Sequence, residues 1–145
     1  MKTYVLTVSQ KFAARHPRAG ELTNFPSAIL EGRKIHTIRA NFELWEKRVK
    51  EISDGAARLS IRIWTDKPYR SPQQEIKSLT AADGVGIEKL NLYGLQPVIN
   101  KKWVAPLALT KNDGLAFEDF EPWFKDYDLA KPMAVIHFTP FRYNQ

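Results

Sequence analysis

Cysteine is absent from this 145-residue chain. Its absence excludes disulfides, zinc ribbons and thiol nucleophiles. Histidine is scarce, with three scattered copies, and without cysteine these argue against a catalytic metal. No apolar run approaches the length that a membrane span needs. No internal repeat, low-complexity segment or long linker is visible. The opening run Tyr4–Val8 is too short for a signal-peptide core, and no cleavage site follows it. The expectation is a soluble cytoplasmic protein with no metal, no cofactor and no membrane partner, although a chain without cysteine is compatible with export as well. Hydrophobic residues make up 43% and charged residues 26% of the chain. That composition suits one globular domain, residues 1–145, long enough to bury a core.

Acidic residues are few in the first third. Residues 1–50 hold ten Lys/Arg against four Asp/Glu, whereas residues 51–145 hold twelve of each, so the net charge of +6 sits entirely at the front. The stretch 113–128 is the reverse, with Asp113, Glu118, Asp119, Glu121, Asp126 and Asp128 against Lys125 alone. A basic lobe suggests an anionic partner, nucleic acid being the commonest. The plainer alternative is a solubilising surface whose halves partly neutralise each other.

Periodicity gives a coarse element order. Tyr4–Val8 reads as a strand and Lys11–Asn24 as a loop or short helix. Asn24 is placed to cap a helix over Phe25–Glu31, with Pro26 in its first turn and Gly32 as its stop. Ile35–Ala40 reads as a strand. Asn41 then caps a helix in which Leu44, Trp45, Val49 and Ile52 recur, ended by Asp54-Gly55. Arg58–Trp64 alternates as a half-buried strand, and Thr65–Pro72 is a proline-punctuated loop. Glu75–Leu79, Ile87–Tyr93, Val98–Val104 and Met133–Phe138 read as further strands. Phe117–Tyr127 reads as a helix that starts near Asp119, because Pro122 is awkward beyond the first turn. About six strands with two or three helices and no strict βαβ alternation predict an α+β fold, a small barrel flanked by helices.

Chemistry concentrates in Gly32-Arg33-Lys34-Ile35-His36-Thr37-Ile38-Arg39. A cation and a hydroxyl at a helix-to-strand junction can hold a phosphate or a carbonyl, or attack one. In a regular strand Thr37 and Arg39 share one face and His36 and Ile38 the other. Lys34 converges on Thr37 only if it lies in a turn made by Gly32. A buried amine of lowered pKa, with Arg33 and Arg39 nearby, can then take the Thr37 proton. Each residue also has a plainer use. Lys34 and Arg39 can bind phosphate without reacting, Thr37 can be a strand former, and Asp113 can be a turn residue before Gly114. Glu118, Asp119 and Glu121 can favour a helix start. His36 reads as a packing residue, and His16 and His137 as isolated. Tyr69, beside Lys67 and Arg70, suits stacking a base and contacting its phosphate. Trp45, Trp64, Phe120, Trp123 and Phe124 read as packing residues.

Gly32-x-Lys34-x-x-Thr37-x-Arg39 resembles the signature of the ASCH family, and Asn112-Asp113-Gly114-Leu115 with Asp119-Phe120-x-x-Trp123-Phe124 resembles its second block. The resemblance runs from about Phe25 to Phe138. It implies a PUA-like β-barrel with a cleft near the signature that binds RNA or a nucleotide-like ligand. Thr at the sixth motif position is shared with the acetylcytidine amidohydrolase branch. That likeness implies a catalytic set of Lys34, Thr37 and an acid, placed at Asp113. The extra basic stretch from Ala13 to Thr23 can cover or reshape the cleft. Three functions follow: an ASCH-type module binding RNA or a modified nucleoside or nucleotide through Arg33, Lys34, Arg39, Tyr69 and Arg70; an amidohydrolase acting on an acylated nucleobase; and a protein-interaction domain. Oligomeric state is left open.

Overall fold

In the computed structural model, which describes residues 1–93 and 96–144, the chain is an α+β fold of eight strands and four α-helices. The strands are β1 (Lys2–Thr7), β2 (His36–Arg39), β3 (Ala57–Trp64), β4 (Gln73–Leu79), β5 (Gly86–Tyr93), β6 (Gln96–Ile99), β7 (Lys102–Trp103) and β8 (Met133–His137). The helices are α1 (Phe25–Leu30), α2 (Phe42–Ser53), α3 (Pro106–Asn112) and α4 (Phe117–Phe124). No helix among the described residues is long and apolar enough to cross a membrane.

The strands form two sheets, β1-β3-β4 and β2-β8-β5-β6-β7, and a closed barrel is not shown. β1 runs parallel to β3, while every other pairing is antiparallel. The expected alternation in β3 is present: Leu59, Ile61 and Ile63 point inward, as a half-buried strand requires. All five residues of β8 are buried. That strand sits between β2 and β5 and has both faces covered.

Helix α2 joins the two sheets. Its Trp45, Val49 and Ile52 are buried, and it packs on β3 of one sheet and on β5 and β8 of the other. Each such side chain, fully buried, stabilises by roughly 1.5–3 kcal/mol. Asn41 caps the helix as expected, accepting from the Leu44 N–H at 3.3 Å.

Four expectations need correction. Val98–Val104 is two strands, because Asn100 and Lys101 adopt positive φ of 48° and 71° and turn the chain between β6 and β7. Asn24 precedes α1 but makes no capping bond; the Thr23 hydroxyl instead accepts from the Phe25 N–H at 3.2 Å. Helix α4 begins at Phe117, with Pro122 inside it. Its eight residues are so short that few intrahelical bonds are lost to the proline. Helix α3 was not anticipated. Pro106 supplies its first turn, and Leu109, fully buried, anchors it to the core. Leu109→Ala is expected to cost about 2–5 kcal/mol in urea unfolding; a loss under about 1 kcal/mol would show that α3 is not held by this contact.

Candidate functional site

The residues of the first motif are set by a turn. Helix α1 ends at Glu31, and Gly32 takes φ +78°, a conformation that glycine adopts without steric cost. The N–H groups of Arg33 and Lys34 then both donate to the Ala28 carbonyl, at 2.8 and 3.0 Å. Lys34 therefore precedes the pleat of β2, as convergence with Thr37 requires. Ile35 is held between two elements: its N–H donates to the Asn112 carbonyl at 2.9 Å, and its carbonyl accepts from Phe138 N–H at 2.9 Å.

The Lys34 side chain is buried, 2% exposed. Its ammonium donates to the Asp113 carbonyl at 2.7 Å and to Asp113 Oδ1 at 3.2 Å, and it lies 4.3 Å from the centre of the Phe25 ring. Gly114 makes room for the stem: a Cβ there would meet Lys34 Cβ at 3.2 Å. Asp113-Gly114 is thus both the helix-ending turn and the anchor of Lys34. Burial lowers the Lys34 pKa, against the opposing pull of Asp113.

Lys34, Thr37, Arg39 and Asp113 line one cavity of about 90 Å³, walled by Phe25, Trp123 and Tyr127. Thr37 is buried, and its hydroxyl has no hydrogen-bond partner among the described residues. Arg39 donates from Nη2 to the Thr7 carbonyl. Among the described residues it pairs with no carboxylate. Burial lowers its pKa, opposed by Tyr127, Asp113 and Tyr69.

The remaining candidates lie outside that lining. Arg33 is exposed and bound to Glu31. Arg70 is exposed, as is Tyr69, which takes φ +63° with its ring 5.1 Å from that of Trp64. Trp123, read from the sequence as a packing residue, is also a wall of the cavity. The basic stretch buttresses that wall, with Phe12 and His16 at 5.7 and 6.3 Å from the Trp123 ring.

The histidines are not isolated. His16 Nδ1 accepts from the Arg18 N–H at 3.0 Å, and its Nε2–H donates to the Asp119 carbonyl at 3.1 Å. His36 Nδ1 lies 3.2 Å from Asp113 Oδ1 and its Nε2 2.6 Å from the Tyr143 hydroxyl. His137 Nε2 lies 2.8 Å from Glu88 Oε1. Sequence reading did not anticipate the roles of Glu88, Asn112, Tyr127 and Tyr143. Only Tyr127 carries a signal, four residues after Trp123 on the acidic stretch.

Comparison with family models, curated proteins and solved structures finds no match for this chain.

Burial keeps His36 and His137 neutral. For His137, burial, His36 and Arg142 push the pKa down to about 3; for His36 burial outweighs Asp113. In the unfolded chain both titrate near their ordinary value, about 6.5. Below that value the unfolded state takes up protons that the folded state refuses, so stability falls as pH drops from 6.5 towards 3. The urea midpoint is expected to decline steadily from pH 6.5 to 4, and less steeply in His137→Gln, which keeps a donor for Glu88. A flat midpoint across that range would contradict this assignment.

Proposed function

We propose that the chain binds a small nucleotide-like ligand, planar and bearing a carbonyl or an anionic group, in the Lys34–Arg39 cavity. One observation carries the reading: an ammonium, a guanidinium and an unengaged hydroxyl meet in a single aromatic-walled cavity. The aromatic walls suit a flat ring, and Arg39 supplies a charge that no carboxylate among the described residues takes up. The volume, about 90 Å³, is well below the roughly 300 Å³ at which drug-sized sites begin. It suits one ring or one acyl head. The reading agrees with the ASCH-like motif of Gly32, Lys34, Thr37 and Arg39.

An extended RNA strand is less well supported. Arg15 is paired with Asp126 at 3.4 Å, Arg18 with Asp119 at 2.6 Å and Arg33 with Glu31. Much of the basic excess of the first third therefore faces carboxylates of the chain itself.

The Thr37 hydroxyl, unpartnered among the described residues and sharing the cavity with a lysine of lowered pKa, favours a second reading, deacylation of a modified nucleoside. There Thr37 Oγ1 attacks the acyl carbon while the Lys34 amine takes its proton. The acyl C–N bond breaks, the exocyclic amine of the nucleobase leaves with the proton returned by Lys34, and water hydrolyses the Thr37 ester to release the carboxylic acid. Asp113 orients Lys34 throughout.

Calorimetric titration of nucleosides and their monophosphates, together with mass analysis of a panel of acylated nucleosides, tests both readings. Binding weakened about tenfold or more in Arg39→Ala, equivalent to about 1.4 kcal/mol, supports the ligand assignment. Turnover of acetylcytidine abolished by Thr37→Ala supports the enzyme. No binding and no deacylation by the wild-type chain would overturn both.

A further inference from the structure

Behind the cavity, a polar chain leads from Lys34 to the C-terminal segment. Asp113 Oδ1 receives Lys34 Nζ at 3.2 Å and faces His36 Nδ1 at 3.2 Å. His36 Nε2 faces the Tyr143 hydroxyl at 2.6 Å, and that hydroxyl accepts from Asn112 Nδ2 at 3.1 Å. His36 and Asp113 are buried, 0% and 3% exposed.

Donor and acceptor counting fixes every proton in this chain. An ionised carboxylate can only accept, so the nitrogen facing Asp113 is Nδ1–H. A neutral imidazole then leaves Nε2 as an acceptor, and its donor is the Tyr143 O–H. The tyrosine oxygen is in turn free to accept from Asn112. At each link of the chain one donor thus faces one acceptor.

The C-terminal segment is held for this role. Both the Tyr143 and Asn144 N–H groups donate to the Glu88 carboxylate, at 2.8 and 3.2 Å. Arg142 donates to the Gly84 carbonyl at 2.7 Å. Its guanidinium occupies the space over Gly86, where a Cβ would lie 1.9 Å from Nη2. Any side chain on residue 86 would force that strap to shift.

We infer that His36 and Tyr143 are positioning residues for the Lys34 ammonium. Tyr143 fixes the tautomer and plane of His36, and His36 shares Asp113 with Lys34, so that the C-terminal segment braces, from behind, the Asp113 and Lys34 that line the cavity. This deepens the reading given above, because it names what sets the orientation and charge of that Lys34. Bonds in such a chain polarise one another. A hydroxyl donating to Nε2 makes Nδ1–H a better donor to Asp113, and the carboxylate then pulls less on Lys34. The groups facing His36 are Asp113 from the end of α3, Lys34 from the turn before β2, Tyr143 from the C-terminal segment and His137 from β8, whose ring lies 5.5 Å away.

The test needs no ligand, so its failure and the failure of the binding assignment are separable. In the full-length ¹⁵N-labelled chain at pH 7, long-range ¹H–¹⁵N spectra are expected to show His36 protonated at Nδ1 and bare at Nε2. The Lys34 Cε titration is expected to move upward by about one pH unit, tenfold in the protonation equilibrium, in His36→Leu. Tyr143→Phe is expected to move it the same way by less. A His36 protonated at Nε2 in the wild type would overturn the inference, and so would a Lys34 midpoint unmoved in both variants. If neither variant folds, the wild-type tautomer alone decides.

Discussion

A lysine ammonium placed in the interior governs the architecture around it. An isolated buried charge is costly, and Lys34 is 2% exposed. Its site therefore has to supply acceptors, and both come from one residue, the carbonyl and carboxylate of Asp113. That demand fixes α3, since Asp113 is its C-terminal cap, and it fixes Gly114, against which the lysine stem lies. It also fixes the exit from α1, because only a turn at Gly32 aims Lys34 inward. Breaking such a pair on one side leaves the other charge unanswered and is more damaging than replacing both. Position 34 and position 113 are therefore one structural decision.

The charge asymmetry of the sequence resolves in the same manner. The basic first third and the acidic 113–128 stretch meet in space: Lys34 on Asp113, Arg18 on Asp119, Arg15 on Asp126. The three contacts are of different kinds. Arg15 and Asp126 are exposed and contribute little in water. The Arg18 guanidinium is half-exposed, but Asp119 is buried and also holds His16 through its carbonyl. That contact locks the extra basic stretch against Trp123. The stretch reads in sequence as an insert that can cover or reshape the cleft, and in the fold its His16 packs against a wall of the cavity.

Local signals in the sequence were enough for several of the elements and for the first motif. Period-two alternation placed β3, the Asn41 cap placed α2, and Gly32 placed the turn that carries Lys34. The legible part of the site was the part written in one short segment. The long-range part had no comparable signal. Nothing near Tyr143 marks it as a partner of His36, a contact across 107 positions. Helix α3 is seven residues beginning with proline, too short for a helical period to declare itself. Asp113 was read as a turn residue or as the acid of a catalytic set; in the fold it ends α3, and its carbonyl and carboxylate hold Lys34. The histidines looked solitary because each finds its acid in a different element: His36 at the end of α3, His137 on β5, His16 on α4.

The two cations of the cavity differ in what they leave for a guest. Lys34 is answered from within: Asp113 takes two of its donors and a ring face covers it. Among the described residues Arg39 is answered by the Thr7 carbonyl alone, a neutral acceptor that occupies a fraction of a five-donor fork. A guanidinium held by packing, with its fork unfilled, is pre-organised for a flat acceptor such as a carboxylate, a phosphate or a ring carbonyl. On the proposed reading, specificity at this site is set by Arg39 and the aromatic walls, and Thr37 touches the atom that this orientation brings to it. The Lys34–Asp113–His36–Tyr143 chain behind the cavity, buried up to His36, holds the ammonium in place.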